Sequence, residues 1–146
     1  IRRAIVSDGD MDAAARMLGR AYALVGKVVP GRRIGRTIGF PTANIRTDAR
    51  MSVPRCGVYA ATVDIAGRRY GAMLNIGTAP TVNAADTEVR LEVHIFDFDG
   101  DIYGATLSVE PRRYLRAECR FADVSSLSAR LRDDAAAAKA ILAEIP

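Results

Sequence analysis

The spacing of apolar positions changes twice along the chain. Met11, Ala14, Ala15 and Leu18 recur at helical steps. Asp8 or Asp10 stands ahead of them as a cap and Gly19 is placed to end the helix. From Tyr22 the pattern becomes short runs rich in Val, Ile, Leu and Tyr, at residues 22–29, 58–65, 70–76, 88–98 and 102–109, separated by glycine or Asp-Gly signals. These predict strands. Ala66-Gly67 divides the second run from the third and Asp99-Gly100 the fourth from the fifth. Connections of hairpin length imply antiparallel neighbours. From Ser125 the helical period returns, with Leu127, Leu131, Ala135, Ala138, Ile141 and Leu142 on one side and Arg130, Arg132, Asp133 and Lys139 on the other. Five or six strands with little helix between them argue for a small antiparallel barrel or sandwich, with the last helix lying against it.

Composition adds scale. At 146 residues, 49% hydrophobic and 26% charged, the chain is one domain's worth. Residues 1–20 read as a helix and junction segment, and residues 21–146 as a single barrel domain with its C-terminal helix. A chain of this size withdraws roughly two thirds of its unfolded surface from water, so Cys56 and Cys119 need no structural bond. With no signal-type apolar run and no stretch near the ~20 residues of a membrane span, we expect reduced thiols in the cytoplasm and no membrane partner. The first residue is Ile1, not methionine, which suggests a piece of a longer polypeptide.

Charge narrows the ligand. The net charge is +4, and 19 of the 21 basic residues are arginine. They are spread along the chain with acids between them, and nine aromatics without a tryptophan make a poor base-stacking surface. A small anion accounts for this balance, and no nucleic acid is expected.

The segment from Gly31 to Asn44 carries the chemistry. Gly31, Gly35 and Gly39 recur at four-residue spacing, but neither common phosphate fingerprint fits, and Phe40-Pro41 blocks the helix both would need. Glycines still let backbone amides turn toward an anion, and Arg36 and Thr37 add donors; the alternative is a surface loop with ordinary turn glycines. Thr42 and Asn44, two apart in an extended segment, project to one side. Their hard oxygens suit magnesium completed by nucleotide phosphates, or they are turn formers after Pro41. Further on, Val89, Leu91, Val93 and Ile95 share one strand face, and Glu92 and His94 share the other. Glu92 is either a proton acceptor or a solvated strand position. His94 has no partner at zinc-ligand spacing and reads as support beside the glutamate. Cys56 lacks an activating context, and there is no Gly-x-Ser-x-Gly element.

Taken in order, GRTIGFPTANI, GVYAATV, NIGTAPTV, LEVHIFDFDGDIYG and YLRAECRF resemble the riboflavin kinase family, over residues 19–140. The resemblance implies a mainly β fold, a six-stranded antiparallel Greek-key-like barrel with a short N-terminal and a long C-terminal helix. It also implies phosphorylation of riboflavin to FMN by ATP with Mg2+. Residue by residue, it makes Thr42 and Asn44 the magnesium and phosphate ligands and Gly31, Gly35, Arg36 and Thr37 the loop over ATP. Glu92 becomes the general base, and Arg116 and Glu118 an element near the flavin. The sequence departs from the family's pattern at Thr78–Thr81, where relatives often carry a basic residue before the proline. It departs again at Glu110–Arg113, where they tend to be more apolar. The opening of the chain is similar to the junction before the kinase module of bacterial bifunctional FAD synthetases, implying an N-terminal FMN adenylyltransferase partner. The competing reading is a barrel that binds flavin or nucleic acid without chemistry, and the Thr42, Asn44 and Glu92 set separates the two.

Overall fold

The computed structural model describes residues 1–29, 42–80 and 87–145. A π-helical turn, Ala4–Asp8, leads into α1 (Met11–Leu18). Asp10, rather than Asp8, caps α1: its carboxylate accepts from the Ala13 amide at 2.9 Å, and Gly19 closes the helix at φ 76°. Met11 and Ala14 are buried.

Six strands follow: β1 (Leu24–Val29), β2 (Ala43–Thr47), β3 (Gly57–Ile65), β4 (Arg68–Pro80), β5 (Thr87–Ile95) and β6 (Thr106–Arg116). They close into a barrel in the order β1-β2-β5-β4-β3-β6, with every pair antiparallel. Chain α2 (Val124–Glu144) lies outside it, capped by Asp123, which accepts from the Ser126 amide at 2.7 Å. The expected architecture holds. The Ala66-Gly67 hairpin holds too: Ile65 pairs with Arg68, and both loop residues take positive φ, 50° and 81°, the twist that suits a two-residue connection.

Three expectations are corrected. Asp99-Gly100 does not join a hairpin. β5 ends at Ile95 and pairs with β2 and β4, whereas β6 begins at Thr106 and pairs with β1 and β3. Asp99 and Gly100 form no turn; the turns of this connection fall at Phe96-Asp97 and Tyr103-Gly104, and closing the barrel takes β6 across to β1. The last strand is also displaced, running from Thr106 to Arg116 rather than over 102–109. The expected run stops at Val109, yet the strand continues through Pro111, which sits fully buried where the register with β3 shifts between Ala60 and Ala61. A proline is tolerated at such an irregularity because it need not donate to the ladder there. Finally, β2 is absent from the predicted strands, because only Ile45 among its five residues is buried and the apolar alternation is too thin to see.

The alternation inside the strands builds two cores. Leu24, Val28, Ile45, Tyr59, Val63, Leu74, Ile76, Leu91, Val93, Leu107 and Val109 fill the barrel, joined by Ile5, Met11 and Ala14 from the N-terminal segment. Ala60, Met73 and Phe96 on the outer wall pack under Ala138 of α2, with Leu131, Ala135, Ile141 and Leu142 around it. Ala138 is wholly buried, so its methyl group sets how closely the helix approaches.

Candidate active site

Because Ile45, Leu91, Val93, Leu74 and Ile76 point into the barrel, the pleat turns the residues between them outward. Asn44 stands opposite Glu92 across β2 and β5. Glu92 stands opposite Asn75 across β5 and β4. The same transverse row continues through Val58 of β3 to Arg116 of β6. Directly opposed residues in such a ladder hold their Cβ atoms roughly 4.5–5.5 Å apart. A glutamate is thus flanked on both sides by carboxamides on the outer wall.

Glu118 joins this group from beyond the end of β6. Its carboxylate lies over Gly77, the next outward position on β4 after Asn75. A Cβ at Gly77 would overlap the Glu118 carboxylate and stand 2.8 Å from its Cδ. Burial, and then the negative charge of Glu92, push the Glu118 carboxyl above the usual carboxylate range, partly offset by Arg116. Burial and then Glu118 likewise raise the Cys56 thiol, which disfavours a nucleophilic thiolate there.

Arg116 is tightly held. Its Nε donates to both Asp134 carboxylate oxygens at 3.0 Å and its Nη2 donates to Oδ2 at 2.6 Å. Nη1 donates to the Ala117 carbonyl at 3.1 Å and lies 3.5 Å from Cys119 Sγ. The guanidinium is therefore engaged within the chain rather than left open on the surface.

Of the residues singled out from sequence, Asn44, Glu92, Glu118 and Arg116 come together on this wall. Thr42 lines a cavity of about 110 Å³ with Val28, Ala43, Val93, Ile95 and Phe98. Asn44 lines a different cleft, about 550 Å³, with Arg46, Asp48, Glu88 and Arg90. His94 shares the outward face with Glu92 but stands edge-on to Phe96 at 5.6 Å, toward α2. Gly31, Gly35, Arg36 and Thr37 lie outside the described residues. Asn75, Gly77 and Asp134 were not singled out from sequence. Asn75 was readable as the one outward amide in Met-Leu-Asn-Ile-Gly, whereas Asp134 carries no signal within an alanine-rich helix. Among the described residues no group of three or more His, Cys, Asp or Glu side chains is arranged to hold a metal.

Fold and site define a small antiparallel barrel with acidic, carboxamide and arginine side chains gathered on its outer wall. The family model described as Flavokinase: Riboflavin kinase matches residues 18–142, and the chain belongs to the riboflavin kinase family. It is 42% identical over 143 residues to the bifunctional riboflavin kinase/FMN adenylyltransferase of Pseudomonas fluorescens, covering 98% of this chain and 45% of that protein. With the enzyme of the same name from Bacillus subtilis it shares 36% identity over 133 residues, covering 90% and 42%. The chain spans less than half the length of these curated relatives. Among solved structures, one named as a macrolide-efflux protein from Streptococcus pneumoniae superposes with a TM-score of 0.88 at 38% identity, over 94% of this chain and 44% of that one. Riboflavin kinase from Trypanosoma brucei superposes at 0.58 and 23% identity, over 84% and 80%, and shares the fold. Among the described residues no helix is long and apolar enough to cross a membrane.

Proposed function

We propose that this chain transfers the γ-phosphoryl group of ATP to the terminal ribityl hydroxyl of riboflavin, forming FMN and ADP. The carrying observation is the direct opposition of Asn44 and Glu92 within a family-matched barrel. Phosphoryl transfer requires alignment and charge neutralisation more than covalent participation by the protein. Glu92, outward and only partly buried, takes the hydroxyl proton as the acceptor oxygen attacks phosphorus. Asn44 beside it orients the phosphate side of the reaction through its carboxamide.

Magnesium fits the donor set. Thr42 and Asn44 offer neutral hard oxygens that would hold the ion together with phosphate oxygens of the nucleotide. When bound, it neutralises charge on the transferred group. Gly31, Gly35, Arg36 and Thr37 are assigned to the ATP phosphates, and Arg116 and Glu118 to the flavin side.

The length of the relatives supports an N-terminal FMN adenylyltransferase module as the natural partner of this one. Residues 1–20 serve as the junction, and the burial of Ile5 and Ala14 in the barrel's core makes that junction part of the module's packing. The free, exposed Cys56 and Cys119 fit a reducing cytoplasm. The deciding experiment incubates the purified chain with ATP, riboflavin and Mg2+ and separates flavins by chromatography. Nucleotide-dependent FMN is expected, and riboflavin returned unchanged would overturn the reading.

A further inference from the structure

Asp134 is the buried charged side chain among the described residues, 5% exposed, and the proposed chemistry makes no use of it. A carboxylate so enclosed is costly unless paired and hydrogen-bonded. Arg116 meets it with the forked contact described above, from a side chain itself only 12% exposed, and Arg130 adds its charge at 3.6 Å from one turn earlier in α2.

The position of Arg116 gives this pair its consequence. It is the last residue of β6, and its remaining nitrogen bonds the Ala117 carbonyl and approaches the Cys119 sulfur. One side chain therefore ties α2 to the residues that leave the barrel. Glu118 lies in the middle of that segment, its carboxylate seated over Gly77 and within the field of Glu92. Two carboxyl groups on successive outward positions of one wall, Glu92 opposite Asn75 and Glu118 over Gly77, suit a polyol, whose neighbouring hydroxyls can donate to both.

We infer that Asp134 is a positioning residue: through Arg116 it fixes residues 117–119 so that Glu118 stays beside Glu92 and orients the hydroxyl-bearing chain of the acceptor. This deepens, and rests on, the assignment of Glu92 as proton acceptor. The charges of Glu92 from β5 and Arg116 from β6 act on Glu118, which in turn acts on Cys56 ahead of β3; Arg90 of β5 stands opposite Gly77 in the ladder, and Asp134 reaches Glu118 by way of Arg116.

A double-mutant cycle on the purified chain tests this, with kcat and KM for riboflavin and the melting temperature measured for each variant. Misplacing a group near the reacting atoms costs up to about a hundredfold. Asp134→Asn should lose about ten- to a hundredfold in kcat/KM for riboflavin, Glu118→Gln should lose a comparable amount, and the double variant should be no worse than Glu118→Gln alone. Losses that multiply would overturn the inference, since residues acting through one another do not add independently. Arg116→Lys keeps a charge opposite Asp134 but gives up the grip on the Ala117 carbonyl, so it should lose activity as Asp134→Asn does. Full activity in Arg116→Lys would overturn the inference even if Asp134→Asn fails to fold. A wild-type chain that makes no FMN would instead count against the proposed function, and active wild type with multiplying variants against this inference alone.

Discussion

Asn44 and Glu92 face each other across β2 and β5, two polar residues opposed on the outer wall while Ile45, Leu91 and Val93 fill the inside. If Glu92 is the base, Glu92→Gln removes proton acceptance while keeping shape. A positioned base contributes about 10² to 10⁴ in rate. The expected result is a fall in kcat of roughly two orders or more with little change in riboflavin KM, read from FMN formation. A loss under about tenfold would leave Glu92 as an orienting group only.

Asn44→Ala should act on the nucleotide side. Its carboxamide is assigned to phosphate and magnesium, so the concentration of Mg2+ needed for half-maximal rate should rise, with riboflavin binding unchanged. Titrating Mg2+ at fixed ATP, with riboflavin fluorescence quenching as the second readout, checks both halves.

Gly77→Ala places a methyl group against the Glu118 carboxylate. The three nearest atoms to that position belong to Glu118, so the harm should depend on that side chain. Overpacking of this kind costs about 1–3 kcal/mol. Gly77→Ala should lower the melting temperature in wild type and much less in a Glu118→Ala background; equal losses in both would place the clash elsewhere.

Stability should also depend on pH through Glu118. Its carboxyl is raised on folding, chiefly by burial and then by Glu92. Below the ordinary carboxylate range the group is protonated in both states. As pH climbs, the unfolded chain releases the proton first, so native stability is lost until the raised value has been passed. Glu118→Gln removes this loss. The variant and wild type should melt alike below about pH 4, and the variant should melt higher at pH 8. A constant gap across that range would contradict the assignment.

Ala66 holds φ 50° without being glycine. The left-handed conformation costs an ordinary L residue about 1–2 kcal/mol, and asparagine tolerates it better. Ala66→Asn should raise the melting temperature while leaving kinase turnover unchanged. Gly67→Ala, at φ 81°, should lower it.

What could be read from the chain and what could not divide along a physical line. Strong local signals survived: the Ala66-Gly67 turn, the alternation of Leu91, Val93 and Ile95 around Glu92, and the helical stripe through Leu131, Ala135 and Ala138. Features made by distant contacts did not. Asp99-Gly100 looked like a hairpin because residue type is a local signal, while the pairing of β6 with β1 is decided by closure of the whole barrel. The last strand was expected to stop at Val109, and the register shift that lets it continue through Pro111 belongs to two strands at once. Glu92 was visible as an outward acid, but Asn75 and Gly77 gain their meaning only when β4 is laid beside β5. Asp134 becomes informative only when Arg116, 18 residues away, folds against it.

Closure of the barrel has one more consequence. Since β1 and β6 pair with each other, each of the six strands has a hydrogen-bonded neighbour on both sides. Among the described residues the sheet offers no open edge strand onto which a neighbouring strand could graft. A unit built this way can be tethered to a different fold and keep its own hydrogen bonding, so any conversation between the two must pass through side chains and loops.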